Sequence, residues 1–216
     1  MVYCVIVAVS IGARLTYAES SLLYYEVVEK WEMKPPRAQP APSARRRVWV
    51  QDPKLRLEYV KLPNRPDGYT IWRDGCAYQV SPETKAVTQW GHQSIQGNIS
   101  GQPWDLRMYL MGITARGATL SGSEMLEGQE TNVYSMPPFE GQRDARLKAW
   151  ISKKTGLPLK EIIFTAQYVS TRIFENIQEN PPEQTDPFSF PADYRVSVVD
   201  PSKLPHSHPI RDLKRQ

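Results

Sequence analysis

Tyr69-Thr-Ile-Trp-Arg73 and Cys76-Ala-Tyr-Gln-Val80 are two alternating runs separated only by Asp74-Gly75. Asp-Gly suits a type I′ turn, which needs positive φ at both central positions and matches the twist of the strands it joins. The segment therefore predicts a β-hairpin. Upstream, Arg46-Arg-Val-Trp-Val50 and Leu55-Arg-Leu-Glu-Tyr-Val60 flank a second turn, Gln51-Asp-Pro-Lys54. Leu55, Leu57 and Tyr59 alternate with Arg56 and Glu58, the period of a half-buried strand. Earlier still, the run 22–33 is rich in Tyr, Val and Trp and predicts the first strand, although its Glu and Lys residues leave a helix open. The polar, Pro-rich run 35–43 continues neither element.

Downstream, Ser81-Pro-Glu-Thr-Lys85 turns the chain into Ala86-Val-Thr-Gln-Trp90. Trp104-Asp-Leu-Arg-Met-Tyr-Leu-Met111 lacks β-branched residues and predicts a short helix, with Pro103 at its start and Gly112 at its end. Strand patterns resume over 118–126, 130–136, 146–151, 157–164 and 167–177. The pattern amounts to about nine or ten strands at the spacing of a sandwich, barrel or curled sheet. Neighbouring strands twist by roughly 20–25°, so a sheet that broad must curl or close. The expected class is mainly β: a highly curved antiparallel sheet, an incomplete β-barrel, with one or two short helices covering its concave face.

Composition agrees. The 216 residues are 40% hydrophobic and 23% charged, with 11 Tyr, 6 Trp and 19 Pro, which excludes a disordered chain and a helical bundle. The net charge of +4 is mild but uneven. Between 34 and 56 the basic residues Lys34, Arg37, Arg45, Arg46, Arg47, Lys54 and Arg56 face only Asp52. Such a patch suits anionic lipid headgroups, an acidic partner or nucleic acid, or is a solvated loop and sheet edge.

The apolar run 1–12 is followed by Thr16-Tyr-Ala18, small residues placed as before a signal-peptide cut. It is shorter than the ~20 apolar residues that a membrane-spanning helix needs. A buried strand is the alternative. Export predicts cleavage near Ala18, a periplasmic or otherwise extracytoplasmic location, a β domain over 19–195 and a polar tail over 196–216. Cys4 would leave with the signal, and Cys76 alone supports neither an internal disulfide nor a paired-cysteine metal site.

Four segments resemble the LolA/LolB-like family, the periplasmic carriers and receptors that sort lipoproteins to the outer membrane. They are Val48-Trp-Val-Gln-Asp-Pro-Lys-Leu-Arg-Leu-Glu58, Trp72-Arg-Asp-Gly-Cys-Ala-Tyr-Gln-Val-Ser-Pro82, Leu147-Lys-Ala-Trp-Ile-Ser-Lys-Lys-Thr-Gly-Leu-Pro158 and Phe188-Ser-Phe-Pro-Ala-Asp-Tyr194. The resemblance spans 22–194 and implies an incomplete barrel with helices over its mouth and an apolar inner surface for acyl chains. It transfers no individual functional residue.

The residues themselves argue against catalysis. Nucleophilic chemistry needs a base beside the nucleophile. The three histidines are His92, in a turn-like stretch, and His206 and His208, in the tail without a third metal ligand. Gly117, Gly122 and Gly128 are spaced for turns and not for a phosphate cradle, and Glu124 and Glu127 read as surface charge. No cofactor, metal or nucleic acid is expected. The candidate ligand lining is the aromatic and methionine set Trp49, Leu57, Tyr59, Trp72, Tyr78, Trp90, Trp104, Met108 and Met111, the methionines serving as an adaptable lid. The expected function is a non-catalytic carrier for a lipid or lipoprotein acyl chain, peripheral at most to a membrane. The alternative is an envelope interaction or stress-sensor module that grips a protein through the same sheet and the patch Arg45, Arg46 and Arg47.

Overall fold

A computed structural model describes residues 21–35, 43–60, 67–91, 104–138, 145–182 and 185–199. The expected signal segment, Cys4, Pro103 and all three histidines lie outside them. Among the described residues there are twelve strands: β1 (Leu23–Met33), β2 (Ala44–Gln51), β3 (Lys54–Val60), β4 (Tyr69–Arg73), β5 (Cys76–Ser81), β6 (Ala86–Trp90), β7 (Thr119–Leu126), β8 (Gln129–Met136), β9 (Arg146–Ser152), β10 (Pro158–Phe164), β11 (Tyr168–Glu179) and β12 (Arg195–Val199). One helix, α1 (Tyr109–Ala115), follows a 3-10 turn at Leu106–Met108.

All twelve strands join one open sheet in the order β12-β6-β5-β4-β3-β2-β1-β11-β10-β9-β8-β7. Two meanders, β1 to β6 and β7 to β11, meet where β1 pairs with β11. The curled, mainly antiparallel sheet is as the sequence predicts. Two details differ. The described strands number twelve against about nine or ten expected, and one of them, β12 at residues 195–199, lies mostly within the expected tail and adds to the edge of β6; that pair is parallel.

The helix also runs further than expected. Asp105 caps the 3-10 turn, its carboxylate accepting from the Arg107 backbone N–H at 3.0 Å. Gly112 lies inside α1 instead of ending it. The stop is Gly117, at φ +93, in a conformation that costs glycine little. There the Ala118 N–H reaches the Ile113 carbonyl and the Gly117 N–H reaches that of Thr114, which is a Schellman ending. The hairpin between β4 and β5 forms as predicted, with Asp74 at φ 53 and Gly75 at φ 71.

Strand alternation divides the buried residues between two faces. Leu23, Tyr25 and Val27 of β1 share a cluster with Val48, Leu57, Trp72, Leu147, Phe174 and the Leu106, Tyr109 and Ile113 side chains of the helical segment. Strands far apart in sheet order can meet one short helix only across the inside of a curl, so this face is concave. On the opposite face Trp49, Ile71, Val80 and Val87 enclose Phe188. Residues 185–194 thus strap the outside of the sheet, a second core that the sequence does not advertise.

Candidate ligand-binding trough

Pairing register lays out the trough in rows. At one end, Leu23, Val50, Leu55, Trp72, Ala77 and Trp90 follow one another across β1 to β6. The next row runs Tyr25, Val48, Leu57 and then turns polar at Thr70, Gln79 and Thr88. On the other wing, Ala149 faces Tyr134 and Leu147 faces Met136, successive inner-facing pairs of β8 and β9. Helix α1 lies over this floor. Tyr25 donates to the Trp104 carbonyl at 2.7 Å, and Arg107 holds the start of β1 through the Ser21 carbonyl and hydroxyl.

The middle of the trough is charged, and its charge is balanced. Glu29 and Glu161, 4% and 1% exposed, sit on either side of Arg172. Arg172 donates to Glu29 at 2.8 Å and to Glu161 at 3.0 Å. Arg46 closes on the other oxygen of Glu29, and the Tyr109 hydroxyl of α1 donates to Glu161. The chain therefore crosses β2, β1, β11 and β10 and ends on the helix. Burial disfavours the charge of Arg172, but Glu161 and Glu29 outweigh it and hold the guanidinium above its ordinary pKa.

Burial is also the main reason that the Tyr25 and Tyr109 phenols are pushed up, with Asp105 and Glu161 respectively adding to it. A phenol whose pKa is raised on folding contributes stability that is complete below its unfolded value of about 10 and lost as pH rises above it. Alkaline titration should accordingly show these two tyrosines ionising only with unfolding. In a Tyr25→Phe/Tyr109→Phe variant, the jump in tyrosinate absorbance at unfolding should shrink by two residues' worth.

The sequence-selected lining divides between surfaces. Leu57 and Trp72 belong to the inner cluster, with Trp90 and Trp104 packed against it. Among the described residues, the buried indole N–H groups of Trp72 and Trp104 meet no acceptor. Tyr59 shares the inner face at the trough margin, 36% exposed, with the Arg46 guanidinium 5.9 Å from its ring centre. Met108 and Met111 are exposed on the helix, at 44% and 59%. Trp49 and Tyr78 lie on the outer face, in and against the cluster around Phe188.

Nor do the three arginines form one surface. Arg45 and Arg47 are half exposed and paired with Glu26, Arg45 also with Glu175 and Arg47 with Glu58. Arg46, on the other side of the strand, is turned into the trough against Glu29. The parity of Arg46 with Val48 and Val50 carries that signal; the composition of the triplet hides it. The buried carboxylates Glu29 and Glu161 were missed for the same reason.

Among the described residues, two of the openings lie at the two ends of the β8 and β9 strands. One, about 610 Å³, lies beside α1 and is lined by Arg107, Leu110, Met111, Thr114, Tyr134, Leu157 and Glu179 with the turn at 155–156. The other, about 760 Å³, lies at the opposite strand ends and is lined by Lys34, Ser135, Met136, Arg146, Leu147, Lys148, Phe164, Thr165 and Ala166. Among the described residues, no group of three His, Cys, Asp or Glu is placed to hold a metal, and no helix is long and apolar enough to cross a membrane.

No protein-family model and no curated protein matches the chain. Among solved structures, an uncharacterized conserved protein from Thermus thermophilus aligns over 83% of this chain and 91% of its own, at 12% identity and a TM-score of 0.54. The MucA/MucB complex of Pseudomonas aeruginosa aligns over 82% of this chain and 59% of that one, at 15% identity and a TM-score of 0.44. A LolA superfamily protein from Nitrosomonas europaea aligns over 74% and 86%, at 10% identity and a TM-score of 0.34. The chain shares its fold with the Thermus protein, and LolA superfamily proteins and a putative lipoprotein-sorting domain stand among its structural neighbours.

Proposed function

We propose that the protein is a non-catalytic, extracytoplasmic carrier that holds a lipid or acyl chain along the concave face beside α1. The observation that carries this reading is the opening beside α1, which meets the inner apolar cluster at Leu110, Tyr134 and Leu157. From Tyr134, which faces Ala149, the inner-facing floor continues to Met136 and Leu147. An extended chain entering there lies along β8 and β9. Its volume, about 610 Å³, falls within the ~300–1,000 Å³ usual for small-molecule sites. Export rests on the apolar run 1–12 and Thr16-Tyr-Ala18.

A protein-binding role has one feature in its favour: β7 is an open edge with Leu120 and Met125 exposed. The arginines proposed for that grip are engaged with glutamates, so the acyl reading is preferred.

Binding by apolar burial is worth ~0.8 kcal/mol per methylene. Methyl laurate should therefore bind the purified protein more tightly than methyl octanoate, by up to about two orders of magnitude in Kd for four methylenes. Displacement of an apolar fluorescent dye measures this. Equal affinity along the ester series, or no binding of any acyl probe, would sink the carrier reading.

A further inference from the structure

We propose that the protein associates with a second copy of itself through β7, which pairs antiparallel with the same strand of its partner. Oligomeric state is read without any ligand, so the proposal stands apart from the carrier reading. Sheet edges are commonly guarded by short length, by Lys or Pro, or by a covering element. At the far edge, β12 has five residues. β7 has eight, with no Lys, Arg or Pro among them, and every residue from Thr119 to Met125 is exposed. Its one charge is drawn off the edge: the Glu124 carboxylate accepts from the Trp150 indole and lies 3.5 Å from Lys148.

The backbone shows which groups are on offer. The Thr131 hydroxyl donates to the Glu124 carbonyl at 2.7 Å, so Glu124 turns toward β8. By the alternation of an antiparallel ladder, the N–H and C=O of Ser123 and Met125 then face the open side. The strand is also self-complementary. A bulge between Leu120 and Gly122 shifts its parity, so Leu120, opposite Tyr134, and Met125, opposite Glu130, share the concave face. They are 58% and 62% exposed. About a two-fold axis at Ser123, that serine meets its own copy, Gly122 meets the partner's Glu124, and Leu120 meets the partner's Met125. Two apolar pairs close on the concave side, no glutamate faces another, and the space beside Gly122 is open. Tyr134 borders the opening beside α1, so the partner's Met125 adds to the wall next to that opening. One strand from each copy makes a small contact, and interfaces below ~1,200 Å² are weak, so the dimer is reversible.

Sedimentation velocity over a dilution series of the purified protein tests this, with dimer expected to dominate above roughly 100 µM. Ser123→Pro should leave the protein monomeric with little change in unfolding temperature, because edge strands tolerate Pro where the N–H faces outward. Leu120→Lys and Met125→Glu should each raise the dimer Kd by about tenfold, since each disturbs two symmetry-related pairs. The Leu120→Lys/Met125→Glu double variant should recover most of the loss, because a cation and a carboxylate then meet across the axis twice. A monomer at every concentration would overturn the proposal and leave the edge to a strand from another protein. A dimer that survives Ser123→Pro, or a double variant weaker than either single one, would overturn it as well, by placing the contact elsewhere.

Discussion

Replacing Arg172 with methionine should destabilise the protein by about 3–5 kcal/mol, the range found when one partner of a buried ion pair is removed. The guanidinium joins two carboxylates that water hardly reaches, and its loss leaves both without their shared counter-charge. Methionine fills a similar volume, so the penalty is mostly electrostatic. Adding Glu161→Leu should recover part of the loss, because the variant then no longer buries one of the stranded charges. Urea unfolding of the single and double variants measures both effects, as a fall in midpoint followed by a partial return. A single variant within about 1 kcal/mol of the parent would show that the chain of charges is hydrated in solution.

The second large effect is expected at the other face. Phe188 is 1% exposed and is the plug of the outer cluster. Truncating a buried phenylalanine to alanine typically costs about 3–5 kcal/mol. Here the loss should appear as local release before global unfolding. The strap is otherwise held by Arg56 donating to the Pro187 carbonyl at 2.9 Å, Arg73 donating to the Phe188 carbonyl at 2.8 Å, and an exposed Lys85–Asp193 pair. Both arginines are themselves stacked on aromatics: Arg56 lies 3.8 Å from the centre of the Tyr69 ring, and Arg73 lies 5.2 Å from those of Tyr78 and Phe190. Hydrogen exchange in Phe188→Ala should accelerate over residues 185–199 while β1 and β11 stay protected. Uniform acceleration across the sheet would mean that the strap is inseparable from the fold.

Local chemistry explains which elements were legible in the sequence. Asp74-Gly75 and the alternation of Leu55, Leu57 and Tyr59 each specify structure within a few residues, and those elements formed where expected. β12 was hidden because Arg195-Val-Ser-Val-Val199 follows a Pro-rich run and owes its place to a parallel edge far earlier in the chain. Facing was hidden too. Val48, Trp49 and Val50 are all buried, so β2 shows no alternation in composition, and Trp49 was grouped with Trp72 although they serve opposite cores. Counting parity from Leu57 through the pairing register separates them, but register is a tertiary property. Arg46 was obscured in the same way, between two arginines that do face water.

The seam between β1 and β11 has a kinetic consequence. The first described strand lies in the middle of the sheet, and its partner on that side comes at least 135 residues later, Leu23 meeting Glu179 and Met33 meeting Tyr168. During synthesis, β1 to β6 can assemble by nearest-neighbour hairpins, yet one flank of β1 must wait until β11, as far as Glu179, has emerged. Closing so long a loop is entropically slow, and the waiting flank is a template for mispairing with other chains. Maturation of this protein should therefore be limited by the joining of two preformed halves, and should be the step most sensitive to crowding by nascent copies.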